Sequence, residues 1–114
     1  MSTDGFNILL EADFESGFII GGNGFNCLTW MDKMGSSNHA GTKGIPATPR
    51  AGAPVELVGL LYSCLKTFKE LYDQKYYSFE GVTINSKTVK FSKWADKIKS
   101  SFEYWFYLEE NPLN

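Results

Sequence analysis

A mainly α fold with long loops and one or two short β-hairpins is what this sequence predicts, and three observations predict it. Apolar residues recur at spacings of three and four from Leu57 to Tyr72 and again from Trp94 to Phe106, the pattern of two amphipathic helices. Between Asn23 and Pro54 the chain is dominated by Gly, Ser, Asn, Thr and Pro, which marks a long loop. Short apolar runs bounded by turn formers, near the start of the chain and around Asn85, supply the hairpins.

The elements follow in order. Phe6 to Leu10 and Gly17 to Ile20 are predicted as extended stretches joined by a Glu15-Ser16-Gly17 turn, with Gly21-Gly22-Asn23-Gly24 ending the second. The loop after them is interrupted by Trp30-Met31-Asp32; ordered loops of this length are usually functional, and a Trp and a Met argue against a mere linker. The first helix begins near Pro54, since a proline in the opening turn forfeits no intrahelical hydrogen bond. Leu57, Val58, Leu61, Cys64, Leu65, Phe68, Leu71 and Tyr72 then share a stripe, with Lys66, Lys69, Glu70 and Asp73 opposite. A hairpin follows, Val82 and Ile84 before an Asn85-Ser86-Lys87 turn and Val89 and Phe91 after it. The last helix is expected to be capped by Ser92 and to carry Trp94, Ala95, Ile98, Phe102, Trp105 and Phe106 on one face.

Composition narrows the function. Eleven basic against 13 acidic residues give no field for nucleic acid and no polybasic membrane anchor. Aromatic content of 16% favours either packing against uncharged sugar rings or a core shared with further chain. The two helical stripes are wider than two helices in 114 residues can cover, so a partner surface is expected. Cys27 and Cys64 lack C-x-x-C or zinc spacing and read as buried free thiols. With no apolar run of membrane-spanning length and no leader-like start, a cytoplasmic location is expected. His39, among Ser, Asn, Ala and Gly, reads as a solvated loop residue, and no cofactor or metal is implied.

The chemistry concentrates in one span. Thr29-Trp30-Met31-Asp32-Lys33 sets a carboxylate beside an indole; Ile45-Pro46-Ala47-Thr48-Pro49-Arg50 presents a guanidinium from an extended loop, because Pro49 disfavours helix at Thr48. Pro54-Val55-Glu56 puts a second carboxylate in the first turn of a helix, where the dipole favours its ionised form. Asp32 either does proton chemistry or caps a turn and pairs with Lys33. Arg50 and Glu56 either contact sugar hydroxyls or form a structural bridge and a plain capping carboxylate.

These segments, together with Gly21-Gly22-Asn23 and Met34-Gly35, resemble the glucosidase portion of glycogen debranching enzymes, in which a TWMD segment is followed by a TPR and a VE segment; the resemblance runs from Gly5-Phe6-Asn7 to Glu109-Glu110-Asn111-Pro112. It departs at Gly24, Leu28 and Ala51, which touches the loop rather than Asp32, Arg50 or Glu56. The resemblance implies that residues 1–114 are a fragment of an (α/α)6 barrel glycosidase domain and not a complete independent domain. It implies hydrolysis of α-1,6-glucosidic branch points in glycogen or branched limit dextrin by an inverting pair of carboxylates, with Asp32 as general acid and the base on a downstream segment outside this sequence. Trp30, Lys33, Arg50, Glu56 and Asn26 are then the expected substrate contacts, and the remainder of the glucosidase domain is the expected partner. The 4-α-glucanotransferase activity of such enzymes belongs to an upstream domain of another fold. The alternative from a different class is a noncatalytic glucan-binding or scaffold piece of the same family.

Overall fold

Two helices and two separate two-stranded antiparallel sheets form the described chain, in the order β1 (Glu11–Asp13), β2 (Phe18–Ile20), α1 (Val55–Asp73), β3 (Gly81–Ile84), β4 (Lys87–Lys90) and α2 (Phe91–Phe106). The computed structural model describes residues 9–23, 35–46 and 51–107. The chain divides into two compact units, one of Met1–Asp13 with Phe18–Val58 and one of Phe14–Gly17 with Gly59–Asn114.

A mainly α fragment of an (α/α)6 barrel is not what is found. The described chain is about 42% helical and 23% strand. Helix pairing of the barrel kind needs consecutive helices joined to pack side by side, whereas here a hairpin stands between α1 and α2 and a second hairpin precedes α1.

In the first unit β1 pairs with β2 in the register Glu11↔Ile20, Ala12↔Ile19 and Asp13↔Phe18. Pairing starts at Glu11, later than the expected Phe6 to Leu10: Leu9 and Leu10 precede the strand and are exposed, and residues 6–8 lie outside the described residues. The strands are three residues each because register grows outward from the turn at residues 14–17. Phe18, Pro54 and Val58 are buried.

In the second unit the core gathers on α2. Trp94, Ala95 and Ile98 are buried as the periodicity predicts, and Phe91, expected to end the hairpin strand, is buried with them as the first residue of α2, while Phe102 is half-buried and Trp105 is 65% exposed. Trp94 Nε1 donates a buried hydrogen bond of 2.6 Å to the Gly17 carbonyl, and Phe14 meets the same indole edge-on with ring centroids 5.7 Å apart. Gly17 sits at φ 84°, and a side chain there would bring Cβ within 3.0 Å of Ile98 Cγ1 and 3.1 Å of Ile98 N. Only glycine allows the turn to approach α2 this closely.

α2 is entered directly from β4. The strand ends at Lys90, and the helix begins one residue before Ser92, so Ser92 is not its cap; Lys90 occupies that position without a side-chain hydrogen bond. The Phe91 N–H, one of the donors a helix start leaves unpaired, is satisfied instead by the Glu80 carbonyl at 3.0 Å. Lys90 Nζ to Glu80 Oε1, 3.2 Å, lies over the same junction. The β3–β4 hairpin pairs Val82 with Val89 and Thr83 with Thr88, and its turn is the two residues Asn85 and Ser86 at φ 50° and 65°, the I′ geometry that follows strand twist.

On α1, Val58 and Leu65 are buried, but Leu60 is 60% and Phe68 40% exposed, and Cys64 is an exposed free thiol where a buried one was expected. Cys64 belongs to the expected stripe, yet at the helix surface it falls on the side that carries Leu60 and Phe68. Phe68 stacks on Phe91 at 5.3 Å and meets Tyr77 at 5.7 Å, which fastens α1 to the start of α2. The helix ends in a Schellman arrangement, Tyr76 N to Leu71 O at 2.9 Å and Lys75 N to Tyr72 O at 3.0 Å, with Lys75 at φ 63° where glycine is usual. No helix among the described residues is long and apolar enough to cross a membrane.

Trp94→Phe keeps the ring against Phe14 but strands the buried Gly17 carbonyl; urea unfolding followed by circular dichroism is expected to show a loss of about 1–3 kcal/mol. In the same assay Lys75→Gly relieves the left-handed backbone and is expected to gain about 1 kcal/mol.

Candidate functional site

The chain that carries the sequence-predicted site is closed at two necks, both in the first unit. At the outer neck Gly21 and Gly52 exchange two backbone hydrogen bonds, Gly21 N to Gly52 O at 3.0 Å and Gly52 N to Gly21 O at 2.8 Å. At the inner neck Gly35 N donates to Ile45 O at 2.9 Å and Gly44 N to Gly35 O at 2.9 Å. Asn26, Trp30, Asp32 and Lys33 lie on the strand of sequence that runs from the outer neck to the inner one, and Arg50 lies on the strand that returns. These five fall outside the described residues.

Glu56 is described. It stands in the first turn of α1, four residues beyond Gly52, half-buried and engaged by a neighbouring group rather than free. Its position in the first turn sets the carboxylate near the positive end of the helix dipole. Asn23, at the outer neck, is likewise half-buried and engaged.

Between Gly35 and Ile45 the loop braces itself. The Ser37 carbonyl accepts from Thr42 N at 3.0 Å and Lys43 N at 3.2 Å, Asn38 O accepts from Gly41 N at 3.2 Å, and Ser37 Oγ accepts from Ala40 N at 3.1 Å. Gly35 is the hinge of this brace: a Cβ there would lie 2.0 Å from the Thr42 carbonyl oxygen, a backbone atom that cannot swing aside. His39 is exposed at the tip.

Two open hollows lie in the second unit, and neither contains a sequence-predicted site residue. One of about 310 Å³ is lined by Tyr62, Lys66, Lys69, Glu70, Ser92 and Asp96 among others, and one of about 450 Å³ by Tyr72, Asp73, Lys75, Tyr77 and Ser78. Lys69 Nζ binds Asp73 Oδ2 at 2.5 Å across exposed surface; the hydrogen bond to Asp73 and then its charge raise the Lys69 pKa above the ordinary lysine value. Among the described residues no group of His, Cys, Asp and Glu is arranged to hold a metal ion. The two necks went unread in the sequence; glycines at 21, 35, 44 and 52, at the edges of the loop rather than within it, were the available signal.

A family model described as amylo-alpha-1,6-glucosidase matches residues 2–113, so both the Thr29–Lys33 and the Thr48–Glu56 segments lie inside the match. The glycogen debranching enzyme of Saccharomyces cerevisiae is 42% identical over 113 residues, which make up 98% of this chain and 7% of that protein. The chain therefore spans a small part of its relative's length.

Because the Gly35 contact is backbone against backbone, Gly35→Ala is expected to open the inner neck. Hydrogen exchange should show lost protection at the Thr42, Lys43, Gly44 and Ile45 amides, with Ser36→Ala, on the exposed neighbour, leaving them unchanged.

Proposed function

This chain belongs to the amylo-alpha-1,6-glucosidase family, and from that premise we propose that it contributes the acid half of a site that hydrolyses α-1,6-linked glucose at branch points of glycogen or branched limit dextrin. The observation that carries this reading is the family match over residues 2–113, within which the TWMD, TPR and VE segments stand intact.

Cleavage of the branch requires a proton on the departing oxygen and a water activated on the opposite face of the sugar, with the two carboxyl groups roughly 6.5–9.5 Å apart in an inverting enzyme. Asp32 is the acid. An acid in this role needs surroundings that disfavour its charged form, and Trp30 and Met31 are its apolar neighbours in sequence. Arg50 offers a planar fork to sugar hydroxyls, Glu56 accepts from them, and Trp30, Lys33 and Asn26 complete the contacts. The general base is assigned to a segment of the parent protein outside these 114 residues, as the family resemblance implies.

The partner surface is the remainder of the glucosidase domain. Leu60, Tyr104 and Trp105, exposed at 60%, 77% and 65%, are faces that further chain of the same domain would cover. A cytoplasmic location accords with the free thiol at Cys64.

Asp32→Asn in the full-length enzyme carrying this sequence keeps shape but removes the transferable proton. Glucose release from a limit dextrin is expected to fall roughly 10²–10⁴-fold. Glucan affinity and the transferase activity should be retained. Hydrolysis of α-glucosyl fluoride, whose leaving group needs little protonation, should be relatively spared. Equal loss on both substrates together with loss of folding would mark Asp32 as a turn-capping residue.

A further inference from the structure

The β1–β2 hairpin is buried at its turn and open along its strands, the reverse of the usual arrangement, in which turns run over the surface. Ser16 and Gly17 in the turn and Phe18 directly after it are buried, whereas Glu11 is exposed and Ala12, Asp13, Ile19 and Ile20 are half-buried. The two compact units divide the hairpin in the same way: the turn, Phe14–Gly17, counts with the unit that holds α2, and both strands count with the other. We propose that this buried turn is an anchor and that Trp94 is a positioning residue for the site. By holding the Gly17 carbonyl, Trp94 fixes the point from which β2 runs to the outer neck, and so keeps Gly21 in place to pair with Gly52. The proposal rests on the reading of the enclosed loop as part of a hydrolytic site, and adds to it a residue far away in sequence.

The hairpin cannot hold its own position. It has two strands of three residues each and no third strand, and an isolated pair of that kind is marginal in water. What fixes it is at the turn. Trp94 Nε1, the one hydrogen-bonding atom of that side chain, donates to the Gly17 carbonyl at 2.6 Å in a buried setting. The Phe14 ring meets the same indole edge-on, and the missing side chain at Gly17 lets the backbone close on Ile98.

Between the turn and the neck there is no slack. Gly17 and Gly21 are four residues apart, a reach of at most about 14 Å. The three residues between them, Phe18, Ile19 and Ile20, are all of β2 and are paired with Asp13, Ala12 and Glu11. A paired strand cannot absorb a shift at its start except by slipping whole residues, and a slip of one turns every side chain to the other face. Displacement of the turn is therefore passed on to Gly21, whose N–H and carbonyl make both bonds of the outer neck.

Hydrogen exchange on the full-length enzyme carrying this sequence tests the anchor at the neck itself. Trp94→Phe keeps a ring against Phe14 and removes the donor; it is expected to lower protection of the Gly21 and Gly52 amides about tenfold, the worth of one hydrogen bond. Gly17→Ala, which pushes the turn off Ile98, should do the same, and the two together should add little to either alone because they break one contact. Phe91→Leu weakens the same helix where its ring lies against Phe68 and Tyr77, and should leave both amides protected. Turnover of a branched limit dextrin should fall about tenfold in Trp94→Phe and in Gly17→Ala, within the ~10²-fold that a misplacement of about 1 Å can cost, and hold in Phe91→Leu. Neck protection unchanged by Trp94→Phe, or lost equally in Phe91→Leu, overturns the proposal, and so does an opened neck with normal dextrin turnover. Asp32→Asn keeps the two readings apart, since it should slow dextrin turnover with the neck still protected. An Asp32→Asn enzyme of normal turnover, beside a Trp94→Phe enzyme with an open neck and slow turnover, would remove Asp32 as the acid and leave the positioning role standing.

Discussion

The pair of hydrogen bonds between Gly21 and Gly52 is the constraint that closes the long loop of the first unit, and by itself it is too weak. Closing a loop of about 30 residues costs about 3 kcal/mol in chain entropy beyond a constant. Two backbone hydrogen bonds return about 1 kcal/mol each. The deficit has to be met by what lies on either side, and both sides are regular structure: β2 ends at Ile20, next to Gly21, and α1 begins at Val55, three residues after Gly52. The neck is thus held because its two rims are already positioned, not because it grips. Inside it the nested closure at Gly35 and Ile45 spans far fewer residues and has several hydrogen bonds for them, so it is the more robust of the two.

Much of the local structure was legible in the sequence. Val58 and Leu65 on α1, and Trp94, Ala95 and Ile98 on α2, are buried where three- and four-residue spacing places them. Asn85 marked the β3–β4 turn. Periodicity could not tell that Phe91 would open a helix rather than close a strand, because the hand-over from β4 is decided by the Glu80 carbonyl, a group eleven positions earlier with no side-chain signature. Nor could it tell that Cys64 is exposed, since an apolar stripe of eight residues on one helix is wider than the neighbours available to cover it.

The fold class failed for a different reason. A barrel is a property of many helix pairs closing on one another, and resemblance to a family carries that property onto a stretch too short to display it. What the stretch displays is its own local chemistry: Gly17 and Asn85-Ser86 make turns that permit antiparallel pairing, and the chain pairs there. For the site the balance is reversed. Residue identities at 30, 32, 50 and 56 are read directly from contiguous letters, but only Glu56 among them lies in the described chain, and the necks around the loop are formed by residues far apart in sequence.

A loop with the proton-donor role proposed for Asp32 has to satisfy opposing demands. It must be held well enough that a proton donor reaches its acceptor in the right geometry, since small misplacements cost heavily in rate. It must also be irregular, because a regular helix or strand would use up the backbone in its own ladder and present side chains at fixed spacings. Two nested necks answer both demands. The inner closure braces residues 35–45 by their own main chain, and the outer one joins Gly21, next to β2, to Gly52, just before α1. Since four of the five neck residues are glycines, the restraint comes from main-chain hydrogen bonds.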